Sequence, residues 1–535
     1  MDGDADILII TIFVEIKYSM KTKFTLLLFL VSCFAFPQIE EKKLDQIIQT
    51  TLKTFDVPGI SVGIVKEGKV IYNKGFGVRS LNNKKDMTAG TLVGIASNSK
   101  GFTATALAML ADEGKLNFDD KVVQHIPEFQ MYDPYVSQQV TIKDLITHRA
   151  GLGLGQGDLM FFPEGGKLSV NDIIHNVRYL KPENDFRTTL DYNNIMFIVA
   201  GEVIHRVSGL TWAEFIEQRI LKPVGMNSSY GSYMRAKSAN AANIIEAHAP
   251  VDGKAIAVPH DWNETANAAG GIISNINDMN TWAQFLLNGF TTKDGKKLVS
   301  DKNIQQLWNL QISTPVPLKN PYDSNFGGYG LGWFITDIKG HKQVYHTGGL
   351  IGTVTQFTLI PDMNLGITVL TNQQSGAAFS AITNSIKEAY LGMPEKDWVK
   401  IYGERMEKIN LNYEKEKKAV FAQSEKFKKD KNCQIKIEQI VGTYRDSWFG
   451  DVTITAAGKS YRIYCVNSPR LTGELLPYSS NVMIAKWDDR SYDADAFVNF
   501  NFDEEGKAQS MKLKPVSGVT DFSFDFEDLD LKRIR

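Results

Sequence analysis

The stretch Gly94-Ile95-Ala96-Ser97-Asn98-Ser99-Lys100-Gly101 constrains this chain more than any other. It follows a strand-like, turn-punctuated run and opens a long apolar helix over 102–112. A serine and a lysine three residues apart at a helix start lie on one face, so the ammonium reaches the hydroxyl. The first-turn N–H groups are unpaired there and the helix dipole favours negative charge, which suits a serine that becomes an alkoxide and then holds an oxyanion. The same spacing has a plain structural reading, in which Ser97 or Ser99 caps the helix and Lys100 is solvated. Ser-x-x-Lys alone does not separate the two.

Two later stretches do. Tyr192-Asn193-Asn194 precedes an apolar helical run over 194–208, and His346-Thr347-Gly348-Gly349 follows a strand-like run. At these residues the chain resembles the serine β-lactamase and penicillin-binding fold, in particular its class C and D-peptidase branch, with its order of SxxK, YxN and then KTG or HxG. The resemblance extends to Val57-Pro58-Gly59, Leu145 to Leu152, Pro223-Val224-Gly225-Met226, Ala269-Gly270-Gly271-Ile272 and Tyr329 to Trp333, and runs from about Lys43 to Leu391. It implies an α+β fold: an antiparallel sheet flanked by helices, with an all-helical subdomain.

At 535 residues the chain is too long for one ordinary core, and it divides by pattern. Residues 1–38 read as an N-terminal extension and secretion signal: Lys21 and Lys23 form a basic start and Phe24 to Val31 an apolar core, whereas acidic Asp2, Asp4 and Glu15 do not suit a signal, so Met20 is the expected start. Leu30-Val31-Ser32-Cys33 loosely resembles a lipobox, so the expected location is periplasmic or secreted, with membrane attachment only if Cys33 is lipidated. Residues 39–393 are the hydrolase-like domain. Residues 394–432 turn charged and read as a solvated helix or linker.

From 433 to 535 short runs alternate every two residues between Gly, Asn and Asp turns, the last of them Phe522 to Phe526. That pattern predicts a small antiparallel barrel or sandwich, and it resembles the lipocalin-like C-terminal domain of some relatives. Homo-oligomerisation through this domain is the one macromolecular interaction left open. A formal net charge of -2 gives no basic footprint and argues against nucleic acid. Cys433 and Cys465 could pair or stay as thiols.

The resemblance assigns Ser97 as nucleophile, Lys100 as the base that takes its proton, and Tyr192 as a second acid/base. Asn194 holds the substrate amide carbonyl, and the N–H groups of Ser97 and Gly349 form the oxyanion hole. His346, Thr347, Gly348 and Gly349 complete the substrate-binding strand. Free lysine titrates at about 10.4 and a useful base at roughly 7 to 8, so burial must depress Lys100. Gly348-Gly349 suits close approach of a carbonyl to the strand. His346 departs from the lysine usual at this position; mostly uncharged at neutral pH, it is a weaker carboxylate anchor. The expected reaction is therefore hydrolysis of a small-molecule or peptide substrate at a peptide, amide or ester bond, with no metal or cofactor. A class C-type β-lactamase, or a sensor that acylates without turnover, is the alternative. His148 reads as structural, and Gly151 to Gly157 as a flexible rim rather than a phosphate cradle, because no GKS or GKT follows. A zinc hydrolase would need HExxH, which is absent, and an α/β-hydrolase would need GxSxG around its nucleophile, and none surrounds Ser97.

Overall fold

Helix α1 (Glu41–Thr54) buries Leu44 and Ile48 beside β1 (Gly59–Lys66). Strand β1 is buried along its whole length, and β2 (Lys69–Gly77) returns from it at the sheet edge. Between them Glu67 and Gly68 both take positive φ, 52° and 73°, the handedness that a two-residue hairpin turn needs. The computed structural model describes residues 39–259, 264–429, 435–458 and 460–535. The expected export signal, Cys33 and Cys433 lie outside these.

The apolar run after Ser97 forms α2 (Ser99–Asp112), in which every residue from Ser99 to Leu110 is buried. It packs against α3 (Asn194–Ser208) of the helical subdomain. Helix α4 (Ile276–Leu287) covers β1. The short strands β3 (Ile312–Thr314) and β4 (Gly327–Tyr329) lead into β5 (Phe334–Ile338), β6 (His341–Leu350), β7 (Thr353–Ile360) and β8 (Leu365–Thr371). The strand order is β2-β1-β8-β7-β6-β5-β4-β3, all antiparallel, so β1 pairs with β8, Ile60 opposite Thr371. Helix α5 (Gly376–Tyr390) packs on β7 and β8.

The charged segment is mostly one exposed helix of 30 residues, α6 (Trp398–Phe427), anchored at its start by buried Trp398 and Val399 and near its end by Ser424, whose hydroxyl donates to the Pro477 carbonyl at 2.8 Å. Beyond it come β9 (Gly442–Asp446), β10 (Gly450–Ala457), β11 (Ser460–Cys465), β12 (Thr472–Pro477), β13 (Val482–Trp487), β14 (Ala496–Phe502), β15 (Ala508–Pro515) and β16 (Leu531–Arg533). They form a closed barrel, sealed by the pairing of Tyr444 with Arg533. The expected strand at Phe522 to Phe526 is absent: the segment is a loop ending in a short 3-10 turn, Phe526–Asp528. Its alternating aromatics pack on two different bodies, Phe524 against Phe162 of the hydrolase domain and Phe526 against Trp487 of the barrel.

Candidate active site

Ser97 sits in a 3-10 turn, Ala96–Asn98, that runs directly into α2. Neither Ser97 nor Ser99 caps the helix; Asn98 occupies the cap position and its side chain makes no cap bond. The two residues between Ser97 and Lys100 are pins. Asn98 Nδ2 donates to Thr355 Oγ1 at 2.8 Å on β7, and Ser99 Oγ accepts the Ile272 N–H at 3.1 Å. Ala96, just ahead of the serine, is held at φ 49°, a conformation that costs a residue with a β-carbon on the order of 1 kcal/mol or more.

Lys100 is fully buried, and its Nζ lies 2.9 Å from Ser97 Oγ, 2.7 Å from Asn194 Oδ1 and 2.9 Å from the Ala269 carbonyl. An ammonium donates to all three. A neutral amine can donate to Asn194 and Ala269 and turn its lone pair to the serine O–H. Burial brings the Lys100 pKa down to about 7, against the opposing field of Asp158.

Tyr192 is the residue before the Asn193 N-cap of α3. Its ring lies 4.8 Å from Lys100 Nζ and its hydroxyl bonds to Ser97. Burial raises its pKa despite that bond, so the phenol keeps its proton at neutral pH. His148 supports it from behind: the rings lie 4.3 Å apart, and His148 Nδ1 accepts the Asn193 N–H at 3.1 Å. Burial first, then Lys100 and His346, keep that imidazole neutral. Asn194 faces inward, with Oδ1 on Lys100 and Nδ2 donating to Asp158 Oδ2 at 2.8 Å. One amide hydrogen is left for a substrate carbonyl.

Beyond Tyr345, β6 has no strand partner on its β5 side among the described residues, while its other edge stays paired with β7 as far as Leu350. That open edge, with Thr347 and Gly349, faces the pocket. The two glycines differ. A β-carbon on Gly349 would meet open space, whereas one on Gly348 would strike the Ile95 carbonyl, Thr355 Oγ1 at 2.6 Å and Ala96 at 2.9 Å. Gly348 is thus a packing residue that lets β6 touch the Ser97 turn, and only Gly349 opens to a ligand. His346 reaches the pocket wall with both nitrogens engaged, Nδ1 on the Thr347 carbonyl at 2.6 Å and Nε2 on the Tyr329 hydroxyl at 2.9 Å. With burial and then Lys100 lowering its pKa to about 3, it stays neutral throughout the physiological range.

The glycine-rich rim is pinned rather than flexible. Asn193 Nδ2 donates to the Gln156 carbonyl at 2.8 Å, and Gly155 N–H donates to the Tyr192 carbonyl at 2.9 Å; of residues 151–157 only Leu154 is exposed. Sequence reasoning missed Asp158, an ordinary loop aspartate by pattern, and the barrel residues Asp521, Phe522 and Ser523, which line the pocket together with Phe161 and Phe334. The strand-like aromatic spacing of 522–526 concealed them.

A buried amine in contact with a serine, at the junction of a helix and an open strand edge, places this fold among the β-lactamase-like hydrolases. The chain belongs to the beta-lactamase family, which it matches over residues 44–390; residues 428–533 match a domain of unknown function, DUF3471. It is 29% identical over 371 residues to the unguisins hydrolase ungD' of Aspergillus campestris, a match covering 67% of each chain. It is also 29% identical over 345 residues to protein flp of Staphylococcus aureus, covering 63% of this chain and 64% of that one, so the chain spans about two thirds of the length of these relatives. Among solved structures it shares its fold with the octameric penicillin-binding protein homologue of Pyrococcus abyssi (TM-score 0.58, 23% identity, 92% of this chain and 100% of that one). The class C beta lactamase of Rhodobacter sphaeroides superposes over 65% of this chain and 99% of its own, with TM-score 0.51 and 18% identity.

Proposed function

We propose that this chain is an exported serine hydrolase that cleaves a peptide, amide or ester bond through an acyl-enzyme on Ser97. The observation that carries the reading is the 2.9 Å contact between Ser97 Oγ and a buried Lys100 whose pKa is about 7. Neutral Lys100 takes the serine proton as Oγ attacks the carbonyl carbon, and the N–H groups of Ser97 and Gly349 receive the oxyanion. Tyr192, protonated at rest, gives its proton to the leaving group and is reprotonated from Lys100. In deacylation the same pair works in reverse on a water molecule.

The pocket is about 250 Å³, below the ~300–1,000 Å³ typical of drug-sized ligands, and Phe161, Phe162, Phe334, Phe522 and Leu350 give it apolar walls, which favours a small apolar acyl group. A neutral His346 offers a substrate carboxylate no charge, which weighs against efficient β-lactam hydrolysis. The relative named an unguisins hydrolase supports hydrolytic turnover, and the octameric homologue supports self-association, which light scattering of the mature chain tests.

The enzymatic test is a panel of p-nitrophenyl esters, D-amino acid p-nitroanilides and a chromogenic cephalosporin. Esters or anilides turn over with the wild type and not with Ser97→Ala, while the cephalosporin is slow. Rapid cephalosporin turnover with the other substrates ignored would overturn the substrate class in favour of a β-lactamase. A stoichiometric burst without a steady rate would indicate a sensor.

A further inference from the structure

The loop between β15 and β16 leaves the barrel and enters the hydrolase domain. Its Asp525 carboxylate accepts two backbone N–H groups of the rim, from Gly157 at 2.6 Å and Leu159 at 3.1 Å. Two residues earlier, Ser523 Oγ donates to Asp158 Oδ2 at 2.8 Å. The same carboxylate oxygen accepts Asn194 Nδ2 at 2.8 Å, and the other end of that amide accepts Lys100 Nζ at 2.7 Å. A continuous line of buried polar contacts therefore runs from the barrel to the Ser97 hydroxyl: Ser523, Asp158, Asn194, Lys100, Ser97.

The chemistry of each member fixes the direction of the next. An ionised carboxylate only accepts, so it selects the NH₂ end of Asn194 and leaves the amide oxygen to face the amine. A flipped amide would set its donors against those of Lys100. Asp158 is fully buried and makes no ion pair among the described residues, so Asn194 and Ser523 are what hold its charge. Nothing about the folding of the rim requires an acid here, since Asp525 already receives the rim N–H groups.

We propose that Asp158 is a positioning residue for the catalytic amine, and that the barrel domain, through Ser523, governs how Asp158 is held and so forms part of the catalytic unit. This rests on the serine hydrolase reading only for its kinetic consequence. The other titratable groups are accounted for. Lys100 faces Ser97 and Tyr192, with His148 and His346 as neutral imidazoles within its field, and Asp158 is the carboxylate that acts on it. Asp158 faces Lys100, with Asp521 adding a like charge from the barrel loop; Asp525, which Asp528 also flanks, is itself pushed well above the usual carboxylate range by burial. Burial raises Asp158 to about 7, while its bonds from Asn194 and Ser523 act to keep it ionised.

The full mature chain carrying lysine labelled with ¹³C at Cε gives a direct readout, the titration of the Lys100 resonance, assigned by its loss in Lys100→Arg. Asp158→Asn keeps the hydrogen-bonding shape and removes the charge, so the Lys100 midpoint falls by roughly 1 unit. Ser523→Ala moves it in the same direction by less, because Asp158 without its donor holds its proton more readily. Ser523→Thr, which keeps the hydroxyl, restores the wild-type midpoint. Ser523→Ala adds nothing on the Asp158→Asn background, and the acid limb of kcat/KM for an ester follows the same order. A Ser523→Ala titration superimposed on the wild type, or a shift that simply adds to that of Asp158→Asn, overturns the proposal. If no ester is hydrolysed and Ser97 takes no label, the serine hydrolase reading fails, while the Lys100 titration still decides whether the barrel is coupled to the amine.

Discussion

Replacing Lys100 with methionine separates what this residue does for chemistry from what it does to stability. Its pKa falls from 10.5 in the unfolded chain to about 7 in the fold, a difference of 3.5 units, or about 5 kcal/mol at about 1.36 kcal/mol per unit. Below pH 7 both states carry the proton and the cost of burying the charge is fully present. Between pH 7 and 10.5 the unfolded chain binds the proton that the folded chain has released, so the wild type gains about 1.4 kcal/mol of stability per pH unit. Lys100→Met has no such group. It leaves Asn194 Oδ1 and the Ala269 carbonyl without their donor, at roughly 1–3 kcal/mol each, but that loss does not vary with pH. The stability difference between wild type and variant should therefore grow by about 2.7 kcal/mol from pH 7.5 to 9.5, measured by urea unfolding with tryptophan fluorescence. A difference that stays flat over those two units would refute the depressed pKa and, with it, the amine's role as a base near neutrality.

Two further outcomes follow from the strand beside the serine. Gly348→Ala forces a β-carbon against Ile95, Thr355 and Ala96 and should destabilise the fold by about 1–3 kcal/mol, the usual cost of overpacking, whereas Gly349→Ala, whose β-carbon meets no protein atom but enters the space of the substrate, should leave stability unchanged and raise KM. Equal stability of the two variants in urea unfolding would contradict the packing role. Because His346 stays neutral down to about 3 while Lys100 gains its proton near 7, His346→Gln should leave unaltered the change, between pH 7.5 and 5.5, in the rate ratio of a carboxylate-bearing ester to its neutral analogue; a rise on acidification that the variant loses would show an imidazolium in the pocket.

The local parts of this protein were legible in its sequence because each carries its own period or cap. The apolar helix after Ser97, the helical run over 194–208 and the strand before His346 all declare themselves over fewer than twenty residues. Ser97, Lys100, Tyr192 and Asn194 were legible for the same reason, as short motifs at element boundaries. Pairings made across long stretches of chain were not: β1 meets β8, and nothing in either strand names its partner. Asp158 belongs to this second class, since its meaning depends on Asn194 ahead of it and Ser523 far beyond. The loop at 522–526 misled in a more instructive way. Alternation of aromatic and polar residues reports that alternate side chains are buried, and it reads as a strand when both faces belong to one sheet. Here burial does not alternate: Ser523 to Phe526 are all buried, with Phe524 touching aromatics of both domains, while Phe522 is exposed and lies over Gly155, 2.5 Å from where a β-carbon there would sit.

Mapping the acylated residue tests the central claim most directly. Wild-type chain and Lys100→Met are incubated with a fluorophosphonate and, separately, with a fluorescent penicillin, then digested and sequenced by mass spectrometry. The adduct should lie on Ser97 in the wild type, form faster as pH rises through about 7, and be lost in the variant. An adduct on any other residue, or one that forms on Ser97 at the same rate without Lys100, would contradict the account.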